Sequence, residues 1–139
     1  METLASVKKE QNISVVRQGF ADFASGNIGG IVDASSDDIT WGSYYNPGVP
    51  YSKTYHGKNG VAEFFSTLAG NVDYTAFQPK EFFTDSDHVF VKGYHEGVVK
   101  STGKKFGHDF LMDFQIQDGK IKSFYAWVDT RDQAQAFVQ

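Results

Sequence analysis

From Phe106 to Gln117, apolar and polar positions alternate almost without interruption. Phe106, His108, Phe110, Met112, Phe114 and Ile116 share one parity, and Lys105, Asp109, Asp113, Gln115 and Gln117 share the other, with Leu111 as the exception. Strand side chains point to opposite faces at every second residue, so this segment predicts a strand with one apolar and one wet face. Asp118-Gly119 suits the two positive-φ positions of a tight hairpin turn, and a further strand is expected over Lys120–Val128. Upstream, Val89, Val91, Gly93, His95, Gly97 and Val99 alternate with Lys92, Glu96 and Lys100, predicting a strand over His88–Lys100. Two more strands are expected, over Ile39–Tyr44 and Ala76–Thr84, and Ser86-Asp87 and Ser101-Thr102-Gly103 read as turns.

Helical spacing appears elsewhere. Asn12 is a candidate cap for a helix carrying Ile13, Val16, Phe20 and Phe23, which Gly26 ends. Asn27 caps a second, short helix bearing Ile28, Ile31 and Val32, weakened by Gly29-Gly30. A third opens at Asn59 or Gly60 and runs through Val61, Phe64, Phe65 and Leu68 to Gly70-Asn71, after a turn-rich loop over Asn46–Lys53. Thr130 begins a last short helix, with Thr130 and Gln133 at capping-box spacing. The order is helix, helix, strand, helix and four strands, with no repeat and no dividing linker, so one domain is expected over residues 1–139. A long antiparallel sheet with one apolar face needs a cover, and the N-terminal helices supply it. The expected fold is α+β: a curved antiparallel sheet wrapped around helices, a cone with a pocket at its open end.

Composition narrows the function. The aromatic fraction is 16%, with 13 Phe, which suits both a core and a pocket for a flat organic ligand. There is no Cys, which removes disulfides, thiolate zinc sites and Cys nucleophiles. Net charge is −4 and no basic cluster exceeds two adjacent residues, which argues against a nucleic-acid surface. No long apolar run opens the chain, so neither a signal peptide nor a membrane span is expected, and the cytoplasm is the default location.

The four histidines are the candidates for chemistry. His108 and His95 share the inward parity of neighbouring strands, where a pair of imidazoles can act as base and electrophile, or can simply satisfy buried hydrogen bonds. His56, after Tyr55, enters the third helix near the expected pocket mouth, or is an ordinary loop residue; His88 follows a turn and is expected in solvent. No two histidines have metal-ligand spacing, so neither a metal nor a cofactor is expected. Trp41 faces inward with Ile39 and Ser43, and Tyr44, Tyr45, Tyr51 and Tyr55 surround the Asn46–Lys53 loop, either as a pocket rim or as packing.

The segments VVRQGFADFASGN, DDITW, YHGKNGVAEFF and DGKIKSFYAWVDT, in this order and spacing, resemble the SnoaL-like polyketide cyclase family within the ketosteroid-isomerase and nuclear-transport-factor-like superfamily. The resemblance implies the same cone, a homodimer, and a small, largely apolar organic molecule in the cavity. It also implies positions for the acid–base residues. The cyclase His and Asp fall on Met112 and Ala126; the steroid-isomerase Tyr and two Asp fall on Gly19, Ser43 and Met112. None of these side chains suits proton transfer, so the familiar mechanisms are not expected. A ligand site of Trp41, Tyr55, His56, Phe110, Met112, Phe114 and Ala126 remains, with His108 and His95 as the possible catalytic pair in isomerase, cyclase or lyase chemistry. The alternative is a non-catalytic carrier, sensor or dimeric interaction module.

Asp129 has two readings. In an unbroken hairpin His108 faces Asp129, Phe110 faces Trp127 and Met112 faces Tyr125. The resemblance instead places Ala126 inward, which requires a β-bulge; Phe124, Ala126 and Val128 then line the interior, Tyr125 and Trp127 face outward, and Asp129 caps the last helix.

Overall fold

A computed structural model describes residues 3–139. The elements are α1 (Leu4–Ser25), α2 (Ile28–Ala34), β1 (Ser35–Ser43), β2 (Tyr55–His56), α3 (Gly57–Asn71), β3 (Val72–Asp85), β4 (His88–Val99), β5 (Lys105–Gln117), β6 (Lys120–Trp127) and α4 (Thr130–Ala136). One sheet runs in the order β2-β1-β6-β5-β4-β3. The α+β cone is as expected, but the sheet is mixed: β3 to β6 form an antiparallel meander, whereas β1 lies parallel to β6. No helix among the described residues is long and apolar enough to cross a membrane.

Helix α1 begins earlier than its apolar spacing suggests. Leu4 to Gln11 lacks an apolar stripe but is rich in good helix formers, and the Thr3 hydroxyl accepts the Ser6 N–H at its start. Asn12 is therefore a buried mid-helix residue and not a cap. Gly26 ends the helix at φ 76°, a left-handed conformation that glycine adopts without strain. Phe20 and Phe23 then reach the sheet, packing against Phe77, Phe82 and Phe114.

Register shifts in β3, between Tyr74 and Ala76 and between Pro79 and Glu81, bend the long outer strand over the helices. Proline is tolerated there because β3 is a sheet edge. The β5–β6 hairpin also contains a bulge. Gln117 pairs with Lys120 and Ile116 with Ile121, but Gln115 pairs with Ser123, leaving Lys122 as the extra residue. Met112 therefore faces Ala126, and Tyr125 and Trp127 point away from the core. The unbroken pairing is excluded, and Asp129 caps α4, its carboxylate accepting the Asp132 N–H.

The two inward glycines of β4 have a packing role. Gly93 opposes Phe110 and Gly97 opposes Phe106. A Cβ on Gly93 would come within 2.4 Å of both the Gln78 carbonyl oxygen and the Phe110 ring, so the aromatic side chain lies over bare backbone. Gly93→Ala is expected to cost about 1–3 kcal/mol of stability through overpacking. Urea unfolding of the variant checks this, and an unchanged midpoint would show that Phe110 has room to move.

Candidate functional site

The concave side of the sheet and helices α1 to α3 enclose a cavity of about 110 Å³. Its wall is almost wholly aromatic and aliphatic, with Phe20, Phe23, Trp41, Phe64, Phe65, Phe77, Phe114 and Phe124 contributing rings. None of its side chains is an acid, a lysine or an arginine. Trp41 stacks on Phe124 at 4.0 Å between ring centres, which sets one side of the chamber.

Of the residues expected at the site, His95, Trp41, Met112, Phe114 and Ala126 line this cavity. Phe110 does not, because its ring lies over Gly93. Tyr55 is buried beside Phe64 behind the wall. His56 is exposed at the edge strand β2, away from the cavity. His108 stands behind His95 and does not reach the cavity either. His88 is not a free surface side chain: it is half-buried, bonded to Asp113 at 2.7 Å and stacked on Phe90. Gly19, Ser43, Met112 and Ala126, the positions where the resemblance implies acid–base groups, all line the cavity. None of these four residues carries an acid or a base in its side chain.

A different polar arrangement reaches the wall. His95 and His108 are directly opposed on β4 and β5, with their Nε2 atoms 2.9 Å apart. His108 Nδ1 lies 2.8 Å from Asp132 Oδ2, and the same oxygen accepts the Gly107 N–H at 3.0 Å. Asp132 comes from the first turn of α4, so the helix capped by Asp129 delivers a carboxylate to the back of β5. The result is a continuous line, Asp132–His108–His95, from the half-exposed helix α4 to the cavity wall.

The proton positions follow from donor and acceptor rules. A carboxylate only accepts, so His108 Nδ1 carries a hydrogen and donates it to Asp132. When His108 is uncharged its Nε2 is a lone pair, and His95 Nε2–H must donate to it. His95 Nδ1 is then the unprotonated, basic atom of the line. It is enclosed among Tyr74, Phe77, Phe106 and Phe110, whose ring centres lie 5.3–5.7 Å from that of His95. Burial, and then the neighbouring His108 ring, push the His95 pKa down to about 3, with Asp132 pulling weakly the other way. His95 is therefore neutral at physiological pH. Partial burial alone would raise the Asp132 carboxyl; hydrogen bonds from the His108 ring and the Gly107 N–H outweigh it and hold it below the usual value.

Two buried side-chain nitrogens have no hydrogen-bond partner among the described residues, His95 Nδ1 and Trp41 Nε1. Each belongs to a ring in the cavity wall. An unsatisfied buried polar atom costs about 1–3 kcal/mol, so both are poised to gain from a partner. Above them, the Asn46–Lys53 loop is fastened to α4: the Asn46 amide donates to the Thr130 carbonyl and to Gln133 Oε1, and Gln133 donates to the Tyr51 hydroxyl. Gln133 thus anchors the loop and does not form a capping box with Thr130. Among the described residues no three His, Asp or Glu converge as a cation site.

Asp132 was the residue least visible in the sequence. An acid in the first turn of a helix is favoured by the helix dipole alone, so its presence there gives no hint of a histidine partner. The opposition of His95 and His108 was more accessible, since pairing Val98 with Lys105 across the turn places the two rings face to face.

The SnoaL-like domain family matches residues 16–124. An NTF2-like protein from Burkholderia xenovorans is 26% identical, with 93% of this chain and 97% of that chain covered at a TM-score of 0.85. An NTF2-like protein of unknown function from Burkholderia pseudomallei is 19% identical, covering 93% and 98% at 0.83. TerC, co-crystallised with polyporic acid, is 24% identical, covering 91% and 98% at 0.78. Among curated proteins nothing matches this chain. With the family match spanning most of its length and the cone reproduced by these structures, the chain belongs to the SnoaL-like domain family.

Proposed function

We propose that this protein binds a small, largely apolar organic molecule in the cone cavity and moves a proton on it through His95. The observation that carries this reading is the Asp132–His108–His95 line, which ends in a largely apolar wall without an acid, lysine or arginine. His95 Nδ1 takes the proton as the ligand X–H bond breaks. The His95 Nε2 proton passes to His108 Nε2, and the positive charge comes to rest on His108 beside the Asp132 carboxylate. The ligand anion stays in the cavity, while the cation forms away from the apolar chamber, where it is stabilised by its counter-ion. Running the transfer backwards to another atom of the ligand gives an isomerisation. The Tyr74 and Phe77 rings beside His95 shift to let the ligand reach Nδ1.

The second reading, a carrier or sensor without turnover, is favoured by Gly19, Ser43, Met112 and Ala126 at the positions of the relatives' acid–base groups. Native mass spectrometry of the purified protein, with identification of the released molecule, separates the two when that molecule is returned to the protein in D2O. Deuterium entering the ligand at a carbon atom, at a rate set by the protein, is the expected result. A bound ligand that exchanges no faster than in buffer would establish the carrier reading. The same spectrum reads assembly: two chains, joined through the outward Tyr44, Tyr125 and Trp127, is the expected mass, and a single-chain mass would contradict it.

A further inference from the structure

Resting on the reading of His95 as the base of the cavity, we infer that the ligand is a neutral, planar, single-ring compound with a carbonyl oxygen at one end and a hydroxyl at the other, a para-hydroxyaryl ketone being the simplest member. The two unpartnered nitrogens belong to rings of the wall and are covered by their neighbours, and the groups that would partner them once those neighbours shift define these ends. An indole N–H is a donor only, so Trp41 Nε1 calls for an acceptor oxygen. His95 Nδ1, in the uncharged pair, is an acceptor and calls for an O–H. Trp41 stands on β1 and His95 on β4, three strand spacings apart in the sheet. At about 4.8 Å per spacing, the two groups address opposite ends of a molecule and not one shared edge. The wall contains no acid, lysine or arginine to balance a charge, which selects a neutral ligand. The flat rings of Trp41, Phe77, Phe114 and Phe124 favour an aromatic plane. The cavity of about 110 Å³ is smaller than the roughly 150 Å³ apolar cavity that takes up benzene, so it admits no more than one ring and its wall must give way for that ring's substituents. Met112 in the wall has the flexibility to make room for substituents.

The test is a comparison of three probes by calorimetric titration. 4-Hydroxyacetophenone carries both groups, 4-ethylphenol lacks the acceptor and 4-methylacetophenone lacks the hydroxyl. The full probe is expected to bind roughly five- to tenfold more tightly than either partial one, the usual worth of one hydrogen bond. Trp41→Phe is expected to erase the advantage over 4-ethylphenol and keep that over 4-methylacetophenone; His95→Phe does the reverse. Equal binding of all three probes to the unmodified protein overturns the inference without reference to any variant. So does an advantage over 4-ethylphenol that survives in a folded Trp41→Phe protein. The ultraviolet spectrum of bound 4-hydroxyacetophenone reads the proton separately. The phenol is expected to stay protonated as the O–H donor to neutral His95, and a phenolate spectrum would overturn the neutral-ligand inference. The expected binding order without deuterium incorporation at carbon would support this ligand class while counting against His95 as a base.

Discussion

The variant His95→Gln is expected to slow deuterium incorporation at carbon in the ligand by roughly 10²- to 10⁴-fold, the usual contribution of one positioned acid–base group. Glutamine retains a polar head and can still meet His108, but its amide has no basic nitrogen. Binding should persist, because the rest of the wall is untouched. Asp132→Asn probes the other end of the line. It leaves the capping residue Asp129 in place and removes the charge that stabilises a proton on His108. A smaller loss of rate is expected, together with a change in the pH–rate profile, since a neutral amide no longer supports the His108 cation. A purely structural role for Asp132 would lower the amount of folded protein without moving the profile. Deuterium exchange followed by mass spectrometry measures both variants, and full activity in His95→Gln would remove His95 from the chemistry.

Acid is expected to unfold this protein early, and His95 is the reason. In the unfolded chain the ring titrates near 6.5, and in the fold its pKa falls to about 3. Between those values the unfolded chain binds a proton that the folded chain does not. Stability therefore declines as pH falls below 6.5, at a limiting slope of about 1.4 kcal/mol per pH unit, and this decline stops near pH 3. The depressed carboxyls of Asp38, Asp87 and Asp132 add losses of their own only nearer the carboxylate range. Urea midpoints between pH 4.5 and 7.5 isolate the histidine. A falling midpoint that becomes flatter in His95→Phe is expected; a flat midpoint in the unmodified protein would mean that His95 accepts a proton where it stands.

The long strands were legible because period-2 alternation survives in β4 and β5, where one face is buried and the other is wet. The β1–β6 pairing was not, since a parallel contact between distant segments leaves no local mark. The start of α1 was hidden for a related reason: its first turns rest on propensity and a Thr3 cap, with no apolar stripe to reveal them. Within the site, the parity of His95 and His108 correctly placed both rings inside. Which of them meets the cavity depended on packing: Phe106 and Phe110 fold over Gly97 and Gly93 and box His95, while His108 turns to α4. Phe110 shares the parity of Met112 and Phe114 yet leaves the wall, because the glycine opposite gives its ring another place to lie.

In the proposed mechanism Asp132, His108 and His95 form one proton line that ends in a neutral base at the cavity wall. Nitrogen-15 NMR of histidine-labelled protein reads all the ring nitrogens directly. At pH 9 hydrogen is expected on His108 Nδ1 and on His95 Nε2, with His95 Nδ1 bare, and His95 is expected to stay uncharged down to pH 4. A His95 ring carrying hydrogen on both nitrogens at pH 6, or on Nδ1 at pH 9, would contradict it.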